Sequence, residues 1–567
     1  MIVDARHLPT GHIMDADLAI VGAGPAGITL AHELMGAGLR IVLLEAGGTA
    51  PETRRLDAFA GDVLDPARHP PLTLYRVRGL GGGSTLWGGR CVPFDPIDLE
   101  ARPYIPWSGW PLSYDELRLW YRRALAYCEA GPFRFRAGEA LSRGTPAMVP
   151  GLDADGDIAC DQLERFSPPT DFGRRYRAAL MQSRGVTVVL GARCTGLELS
   201  EGRQAVTALR YVHDGDTGEA GAGFIVHARR VVLAAGALET ARLMLAAGAG
   251  NDSVGRFYMC HIEGKAAVAC FKPGTRVVFH YERDSEGVYV RRHFSLPAET
   301  QRRRALTNVI LRFEPPLIAD PAHGNAVLSA MWLSRTFLKA EYERKLASFG
   351  YRGSESGGRR ALIARHLMNV GLGAPALARF GVDWTLRHVL ATRKLPYVAV
   401  KGRGGAFTLD YNAEQVPNPD SRVTLSDQRD ALGLPRLVVD WRASAQDVDG
   451  VVAAHRLLAE QMERSGVGRL EVDEDAIRHG YNAVGGHHMG TTRMADSPER
   501  GVVDADCRVF GMDNLFIAGA AVFPTSSHAN PTLTLVALAA RLAEHLRQLD
   551  QQRGAVNSWD AVAVAAQ

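Results

Sequence analysis

The pattern of apolar and polar positions is clearest near the N-terminus, in the segment DADLAIVGAGPAGITLAHELMGAGLRIVLLEAGG. The apolar run LAIV is typical of a buried parallel strand, and a helical pattern follows from Ile28 to Met35. Gly38 ends that helix, and RIVLLE is typical of a second buried strand, which ends at Glu45. This order predicts a strand, a helix and a second strand, the repeating unit of an α/β sheet.

The same pattern recurs later in the chain. ARRVVLAAGALET, from Ala228, predicts a buried strand and a glycine turn that return the chain to the first sheet. NLFIAG predicts a further buried strand, and NPTLTLVALAARLAEHL predicts a helix with Asn530 at the N-cap and Pro531 in its first turn. GTRVVFHYE and SRVTLS predict strands of another sheet, and a helical pattern covers residues 339–394.

The composition is that of a globular protein with a large core. The chain has 567 residues, of which 46% are hydrophobic, which is enough for two or three domains. Its 65 basic and 62 acidic residues leave a net charge of +3, so the overall charge gives no indication of nucleic-acid binding. Seven scattered cysteines show neither metal-ligand spacing nor a disulfide framework, which favours a reducing compartment. Because there is no signal-peptide pattern and no apolar run of transmembrane length, we expect a cytoplasmic protein without a transmembrane segment.

Three glycines in the first unit have the spacing of a dinucleotide-binding turn. Gly22, Gly24 and Gly27 form G-x-G-x-x-G between the predicted strand and helix, and Glu45 ends the next strand. Such glycines let the backbone approach a pyrophosphate, the helix N-terminus favours its charge, and the carboxylate accepts from ribose hydroxyls. A tight turn that binds nothing is the simpler alternative, but the order of elements favours nucleotide binding. The similar spacing in GLGAPA, from Gly371, follows a helical, basic stretch without a strand and is not counted as a site.

A second glycine-rich segment is RVRGLGGGSTLWGGRCVPFDP, from Arg76, with six glycines between Gly79 and Gly89. So many glycines cost folding entropy, and chains use them where the backbone approaches another group closely or takes positive φ. The loop therefore suits a pyrophosphate or a flat isoalloxazine ring that lies against bare backbone.

Four separated segments resemble the glucose-methanol-choline (GMC) family of FAD-dependent oxidoreductases. They are the N-terminal glycine turn, the GLGGGSTLW loop, VVLAAGALETARLML from Val231, and the C-terminal run that begins at His487. The resemblance implies an α/β fold: a discontinuous, Rossmann-like FAD-binding domain and a second, α+β substrate-binding domain built on an antiparallel sheet, which forms the floor of the substrate pocket. It divides the chain into an FAD-binding domain of residues 1–101, 185–260 and 483–567 and a substrate-binding domain of residues 102–184 and 261–482.

The resemblance also implies which residues contact FAD. They are Gly22, Gly24, Gly27, Glu45, Gly82, Gly83, Ser84, Trp87, Cys194, Ala235, Gly519, Ala520, Pro531 and Thr532. Some members tether the flavin through a histidine of the glycine loop, but this chain has Leu86 at that position, so we expect non-covalent FAD. Thr240 and Ala241 stand where many members have Ser-Pro, which leaves the predicted fold unchanged.

Two neighbouring histidines stand in the segment GGHHMGTTRM. Adjacent side chains of an extended segment point to opposite faces, so at most one of them addresses a given substrate carbon. The family pattern His-x-x-Gly-Thr fits only His487, which the resemblance makes the acid/base residue. Asn530 falls where the family carries a second His or Asn that faces the substrate hydroxyl, and His488 and His528 are candidate substrate contacts.

Each of these residues also has a simpler structural explanation. A buried histidine is usually a hydrogen-bonded core residue, and an asparagine before a proline at a helix start is usually an N-cap. A metal site made of His487, His488 and His528 lacks carboxylate or thiolate partners at recognisable spacing, so we expect no metal.

The predicted reaction is the FAD-dependent oxidation of an alcohol group to a carbonyl, by an oxidase or a dehydrogenase. A hydride passes to flavin N5 while His487, a neutral imidazole, takes the hydroxyl proton. The His and Asn pair and the text HHMGTTRM are similar to the sugar-oxidising, pyranose-oxidase-like branch, which implies a sugar, glycoside or cyclitol substrate. The alternatives are a FAD-containing lyase of the hydroxynitrile-lyase type, a dehydrogenase for a non-sugar alcohol, and a protein that only binds the cofactor.

The partners other than the substrate stay open. Oxygen, a quinone or a protein could reoxidise the flavin, because that choice depends on tunnels and surfaces rather than on motifs. Residues 339–394 carry 11 basic and 4 acidic residues. Such a surface suits an anionic membrane or an electron-accepting partner, and a solvated face is the simpler alternative.

Overall fold

A computed structural model of the chain describes residues 1–52, 56–153, 155–214, 220–334, 358–400 and 406–565. The strands in these residues are β1 (Ile2–Asp4), β2 (Ile13–Val21), β3 (Ile41–Glu45), β4 (Gly61–Val63), β5 (Arg90–Cys91), β6 (Leu163–Phe166), β7 (Val186–Leu190), β8 (Ala192–Leu199), β9 (Val206–Asp214), β10 (Ala220–Leu233), β11 (Ile262–Phe271), β12 (Glu282–Arg283), β13 (Tyr289–Arg292), β14 (Phe294–Ser295), β15 (Val309–Glu314), β16 (Phe407–Ala413), β17 (Arg422–Arg429), β18 (Pro435–Asp440), β19 (Gly468–Val472), β20 (Asn482–Ala483) and β21 (Leu515–Ile517).

The α-helices in the same residues are α1 (Pro25–Glu33), α2 (Pro96–Leu99), α3 (Tyr114–Tyr127), α4 (Ala137–Ala140), α5 (Phe172–Gln182), α6 (Ala237–Ala247), α7 (Ala298–Arg304), α8 (Ala326–Leu333), α9 (Gly358–Leu372), α10 (Ala374–Trp384), α11 (Ala445–Arg464), α12 (Glu474–Gly480) and α13 (Pro531–Ala565). Tighter turns occur at Ala5–His7, Leu56–Phe59, Gly82–Thr85, Pro321–His323 and Ala520–Val522, and a π-helical turn, Thr385–Val389, continues α10.

The largest sheet has eight strands in the order β1-β7-β3-β2-β10-β9-β8, with β21 beside β10. Strands β1, β7, β3, β2, β10 and β21 pair in parallel, whereas β9 and β8 continue the sheet in antiparallel pairs. Ile20 of β2 lies between Leu43 of β3 and Val232 of β10. Strand β3 is buried along its whole length because helices cover the sheet, as its uninterrupted apolar sequence predicts. The predicted return of ARRVVLAAGALET to the first sheet is confirmed, because its apolar residues form the end of β10. The buried strand predicted at NLFIAG is β21, which pairs with β10.

The second large sheet has six strands in the order β14-β15-β16-β11-β19, with β20 beside β11, and every pair in it is antiparallel. Helix α11 packs against it, and the residues between them form a second hydrophobic core that is separate from the core around the first sheet. A mixed α/β fold with a Rossmann-like part and an antiparallel α+β part is therefore confirmed.

The predicted strands outside the first sheet need one correction. GTRVVFHYE is irregular except at Glu282–Arg283, because its apolar Val277 and Phe279 pack on the second core without a neighbouring strand to pair with. SRVTLS does form a strand, β17, but it pairs with β18 in a small sheet that includes β4 rather than in the antiparallel sheet.

The boundaries between the two predicted domains stay a prediction. The structure adds that residues of α3 and α5, which the prediction placed in the substrate-binding domain, belong to the hydrophobic core around the first sheet. The same core includes α1 and the first part of α13, against which α3 packs.

Among the described helices, none combines the length and the apolar character that crossing a bilayer requires.

Candidate active site

A cavity of about 1270 Å³ lies beside the carboxyl ends of the parallel strands β2, β3, β10 and β21. Residues at or just after these strand ends form part of its wall: Val21, Gly22, Leu44, Glu45, Ala234, Ala235, Ala518 and Gly519. Ligands of open parallel sheets bind outside the carboxyl ends of the strands. The cavity exceeds the usual ~300–1,000 Å³ of a small-molecule pocket, so it has room for a dinucleotide and a small substrate together.

The first glycine turn forms one end of the cavity. Gly22 has a φ of +105°, and a Cβ on it would lie 2.6 Å from the carbonyl oxygen of Ala234, so this turn passes directly against the turn after β10. Gly24 is the N-cap of α1 and lines the cavity, with no heavy atom within 4 Å of a Cβ built on it. Gly27 lies behind the turn, where a Cβ would come within 2.0 Å of the Gly22 carbonyl oxygen. The three glycines therefore have different roles: the first and third allow close packing, and the second exposes backbone to the cavity.

Glu45 ends β3 in the cavity wall. Its carboxylate accepts hydrogen bonds from the backbone N–H groups of Ala23, Gly47 and Gly79, at 3.0, 2.9 and 2.9 Å. Burial raises the pKa of Glu45, and these three backbone donors act in the opposite direction. A carboxylate has about four acceptor sites, so capacity for ribose hydroxyls remains.

The second glycine loop folds over the first turn. A Cβ on Gly82, which has a φ of +49°, would lie 2.9 Å from the Cα of Gly24. The Ser84 hydroxyl donates to the Gly81 carbonyl at 2.7 Å and accepts from the Phe172 N–H at 3.0 Å, which fixes the loop to the start of α5.

The rest of this loop also faces the cavity. The Trp87 indole N–H donates to the Thr170 carbonyl at 2.9 Å, so its ring is held in the wall. Leu86, at the family's tethering position, lines the cavity as well and carries no nucleophilic atom.

The shape of this wall fits a dinucleotide. Four cavity-lining glycines, one from each of four loops, have no heavy atom within 4 Å of an added Cβ: Gly24, Gly83, Gly236 and Gly519. They form a cradle of bare backbone, next to the N-termini of α1, α6 and α13. The other predicted cofactor residues of the later segments also line the cavity: Cys194, Ala235, Ala520, Pro531 and Thr532.

The two histidines are held by an extended segment that runs against the start of β11. Met489 and Met259 exchange two backbone hydrogen bonds of 3.0 Å, and the Val484 N–H donates to the His261 carbonyl at 2.8 Å. Gly490 follows with a φ of +82°, where a Cβ would lie 2.2 Å from the Phe257 carbonyl oxygen. The Gly-Thr part of the motif therefore secures the backbone that presents His487 and His488.

Hydrogen bonds determine which nitrogen of His487 carries the proton. His261 Nε2 lies 3.0 Å from the Ser526 carbonyl oxygen, which can only accept, so His261 donates there and its Nδ1 is an acceptor. His487 Nδ1 lies 2.8 Å from His261 Nδ1 and must therefore donate to it. The Nε2 of neutral His487 is consequently unprotonated, and this residue lines the cavity.

The electrostatic surroundings keep His487 neutral. Burial lowers its pKa well below the usual range, and His261, His488 and Arg312 lower it further. Burial likewise lowers the pKa of His261 to about 4.

Asn530 contacts His487 rather than serving only as a helix cap. Its Oδ1 accepts from Arg90 Nε at 2.5 Å, so its amide orientation is fixed, and its Nδ2 donates to His487 Nε2 at 3.0 Å. Helix α13 begins at Pro531, as predicted. Arg90 was not predicted as a site residue, although it directly follows the glycine loop.

His488 belongs to a different hydrogen-bonded group. His69 Nδ1 lies 2.7 Å from the Pro70 carbonyl oxygen, so its Nε2 accepts from the Tyr258 hydroxyl at 2.8 Å. The Tyr258 oxygen then accepts from His488 Nδ1 at 2.6 Å and from the Cys260 thiol at 3.3 Å. His488 Nε2 is left as a buried acceptor that has no hydrogen-bond partner within the described part of the chain.

The ligand atoms of His69, Cys260 and His488 lie within 4.8 Å of one another, a spacing that could hold a metal ion. The Tyr258 hydroxyl bonds to one atom of each of the three residues, and burial raises the pKa of the Cys260 thiol to about 12, so hydrogen bonding accounts for these three atoms without a metal ion. The structure thus groups His488 with His69 and Cys260. The metal site considered from the sequence would have needed His488 to lie with His487 and His528.

The structure does not bring His528 to the cavity. Its side chain is 2% exposed, and its Nε2 lies 3.4 Å from Asp95 Oδ2. Burial acts against its protonated form, but Asp95, Asp98 and Glu164 outweigh burial and raise its pKa. The imidazole has an acidic partner of its own, so a direct substrate contact from it is not supported.

The wall beyond His487 is made of charged side chains that the motifs did not predict. They come from alternate positions of β11 and β15 and from β13: Glu263, Lys265, Arg291, Arg312 and Glu314. Buried Glu164 joins three arginines, Arg90, Arg291 and Arg312, at 2.9, 2.9 and 3.1 Å. The sequence feature that could have indicated these residues is the presence of charged residues at alternate positions of the otherwise apolar strands β11 and β15. The antiparallel sheet thus lines the pocket through β11 and β15. GTRVVFHYE contributes Tyr281 to the cavity from outside this sheet, and SRVTLS does not line the cavity.

Comparison with known proteins shows the family and the fold. Residues 17–312 match the family described as FAD dependent oxidoreductase, and residues 417–539 match the family described as GMC oxidoreductase. The fructose dehydrogenase large subunit of Gluconobacter japonicus is 22% identical and is matched over 94% of this chain and 97% of its own length. The 6'''-hydroxyparomomycin C oxidase of Streptomyces lividus is 22% identical, over 94% and 92%. The crystal structure of pyridoxine 4-oxidase from Mesorbium loti has a similar fold, with a TM-score of 0.53 at 18% identity over 93% of this chain and 98% of that chain.

Proposed function

We propose, because this chain belongs to the glucose-methanol-choline (GMC) family of FAD-dependent oxidoreductases, that it oxidises an alcohol group of a sugar, glycoside or cyclitol to a carbonyl. The chain is an FAD-binding enzyme that acts on alcohol groups. The observation that carries the finer proposal is His487 Nε2, an unprotonated nitrogen beside Asn530 in the wall of the cavity that also contains the glycine cradle.

The glycine cradle, Glu45 and the N-terminus of α13 would hold FAD. When bound, FAD supplies the two-electron oxidant for the alcohol carbon. We infer that FAD is held without a covalent bond through the glycine loop, because Leu86 has no atom that could form one.

His487 and Asn530 have different roles toward the substrate hydroxyl. His487 Nε2 has one lone pair, which accepts from the Asn530 amide in the structure, so the substrate hydroxyl has to replace that hydrogen bond before it gives its proton to this nitrogen. A well-placed base contributes about 100- to 10,000-fold in rate. The Asn530 amide has a second hydrogen with which it can donate to the substrate oxygen, but it has no site that takes a proton.

The charged wall favours a substrate with many hydroxyls. The cationic groups Lys265, Arg291 and Arg312 and the carboxylates Glu263 and Glu314 offer both donors and acceptors within one pocket. Hydrogen bonds to charged groups are roughly twice as strong as neutral ones, so a polyol gains more from this wall than an apolar alcohol. A relative named for fructose, a sugar, supports the same class.

Anaerobic mixing of the purified yellow protein with sugars, glycosides, cyclitols and simple alcohols tests the substrate class. We expect polyhydroxylated donors to bleach the flavin and simple alcohols of the same concentration to leave it yellow. Bleaching by simple alcohols alone would contradict the sugar proposal, and a lyase would leave the flavin oxidised with every substrate. Recovery of colour in air would identify oxygen as an acceptor.

The variant His487→Ala tests the proposed base. We expect FAD to stay bound while the anaerobic rate of flavin reduction falls at least about a hundredfold, because the proton acceptor is lost. The neighbouring variant His488→Ala is the matched control, and we expect it to raise KM more than it lowers the limiting rate. An unchanged reduction rate in His487→Ala would refute the assignment.

A further inference from the structure

Two consecutive helices, α9 and α10 with its π-helical turn, expose large apolar side chains to solvent. Seven of the fourteen exposed large hydrophobic residues of the described chain lie within residues 358–390, and each is at least 55% exposed. We call them the outward apolar face: Leu367, Met368, Leu372, Val382, Leu386, Val389 and Leu390. Such a concentration of exposed large apolar residues is typical of an interaction site.

The polarity of α9 is the reverse of that expected for a surface helix. Its buried residues His366 and Asn369 are polar, and they hydrogen-bond to Ser329 of α8, at 3.0 and 3.1 Å. Trp332 of α8 stacks on the His366 ring at a centroid distance of 4.1 Å. The helix is therefore fixed to the body through His366 and Asn369, and Leu367, Met368 and Leu372 face outward.

Helix α10 and its extension show the same arrangement. Val382, Leu386 and Val389 follow one another at intervals of four and three residues, so they form one stripe on the outer face. None of the described residues of α10 is buried, and Trp384 is the residue that packs inward, against the small core around Tyr281 and Leu395.

The charge of this part of the chain is mainly basic. Residues 358–394 contain seven Lys or Arg residues and a single acidic residue, Asp383, which pairs with Arg387. Arg393 donates inward to backbone carbonyls and Lys394 lines the cavity, so the basic residues near the outward apolar face are those of residues 359–387. Apolar side chains that enter the interface, surrounded by basic residues, are what binding to an anionic lipid surface needs, at about 1 kcal/mol for each basic residue near the surface. A solvated face would not need the seven apolar residues, and a neutral protein partner would not need the basic ones.

We propose that the outward apolar face docks on the surface of an anionic phospholipid bilayer. The helices would lie in the headgroup region without crossing the membrane. The chain directly after the stripe, from Lys394 to Tyr397, forms part of the cavity wall, so docking would bring the membrane next to the active-site cavity.

Vesicle co-sedimentation of the full-length, FAD-loaded enzyme tests this proposal. We expect the enzyme to pellet with phosphatidylcholine vesicles that contain about one third phosphatidylglycerol, and at least about tenfold less with phosphatidylcholine alone. The double variant Leu386→Asp, Leu390→Asp should lose binding to the anionic vesicles at least about tenfold. Leu119→Asp, at a residue of α3 that is 64% exposed, is the matched control and should bind like the wild type.

A second pair of variants and a measurement of oligomeric state complete the test. If the double variant does not retain FAD, Arg379→Gln with Arg360→Gln replaces it and should also weaken binding to anionic vesicles. Failure of the wild type to bind, or equal binding by all variants, would overturn the proposal. Sedimentation velocity detects the rival occupant, because a dimer that the double variant dissociates, without vesicle binding, would assign the face to a second copy of the chain.

Discussion

Among single residues, the tautomer of His487, the proposed catalytic imidazole, depends on a chain of two hydrogen bonds. The Ser526 carbonyl fixes the His261 tautomer, and His261 in turn fixes the His487 tautomer. His261 is thus a positioning residue in the proposed mechanism, since it acts on the substrate only through His487.

The pair of variants His261→Leu and His261→Asn tests this role. An asparagine can place its Oδ1 where His261 Nδ1 accepts the hydrogen bond, and a leucine of similar size cannot. We expect flavin reduction to slow on the order of tenfold to a hundredfold in His261→Leu and distinctly less in His261→Asn. Equal losses in both, with an unchanged pH profile of reduction, would indicate a purely structural role. Stopped-flow reduction across a pH series gives both readouts.

Sequence motifs predicted the residues that stand in a register and missed those that meet only in space. The His-x-x-Gly-Thr register pointed to His487, which the structure places beside Asn530 in the cavity. Arg90 and His261 hold this pair, but they lie hundreds of residues from their partners in the sequence and carry no pattern of their own. His528 was predicted as a candidate substrate contact, and the structure pairs it with Asp95 instead.

Among the secondary-structure elements, the first glycine turn uses different glycines for packing and for the proposed cofactor contact. Gly27 allows α1 to start against the end of β2, and Gly24 leaves open space in front of the helix N-terminus. Substitutions at the two positions should therefore have different consequences.

We expect Gly27→Ala to destabilise the apoprotein by about 1–3 kcal/mol, because its Cβ would overlap the Gly22 carbonyl. Gly24→Ala has an ordinary extended backbone and free space, so apoprotein stability should stay the same while FAD affinity falls about tenfold. Denaturant titration of the apoprotein and flavin fluorescence titration measure the two effects. Equal effects of both variants on apoprotein stability would contradict this division.

Elements with a strong periodic pattern were predicted well. The strands and helices of the first sheet, the helix that starts at Pro531 and the helices over 358–389 follow their patterns. Residues 339–357 of the predicted helical stretch lie outside the described residues. GTRVVFHYE has the alternation of a strand but lacks a neighbouring strand to pair with. The sequence of one segment does not show whether a pairing strand lies beside it.

At the scale of the whole molecule, buried neutral histidines make stability sensitive to acid. Burial lowers the pKa of His69, His261 and His455 to about 4, below the usual value of 6.5. The unfolded chain therefore binds protons more readily, so this contribution to stability is complete above pH 6.5 and is lost as the pH falls toward 4. Burial raises the pKa of Asp98 and Asp447 to about 7, and these groups act in the opposite direction, since their folded forms gain protons first.

His455→Leu isolates one of these histidines away from the cavity. His455 lies in the second core, where its Nδ1 bonds to the Val451 carbonyl at 2.8 Å. Relative to the wild type, the variant should gain about 2 kcal/mol of unfolding free energy between pH 7 and pH 5, because about 1.4 kcal/mol accompanies each pKa unit. Met462→Leu, in the same core, is the control and should keep the wild-type pH dependence. A parallel pH dependence for His455→Leu and wild type would show that His455 does not titrate in this range.

The active site combines segments from opposite ends of the chain. Strand β21 completes the first sheet beside β10, α13 packs on α1, and both His487 and Asn530 come late in the sequence. During synthesis on the ribosome, the N-terminal nucleotide-binding unit therefore emerges without its last strand, its covering helix or the proposed catalytic pair. Stable capture of the cofactor has to wait until β21 and α13 have been synthesised, so flavin loading follows the synthesis of both large sheets.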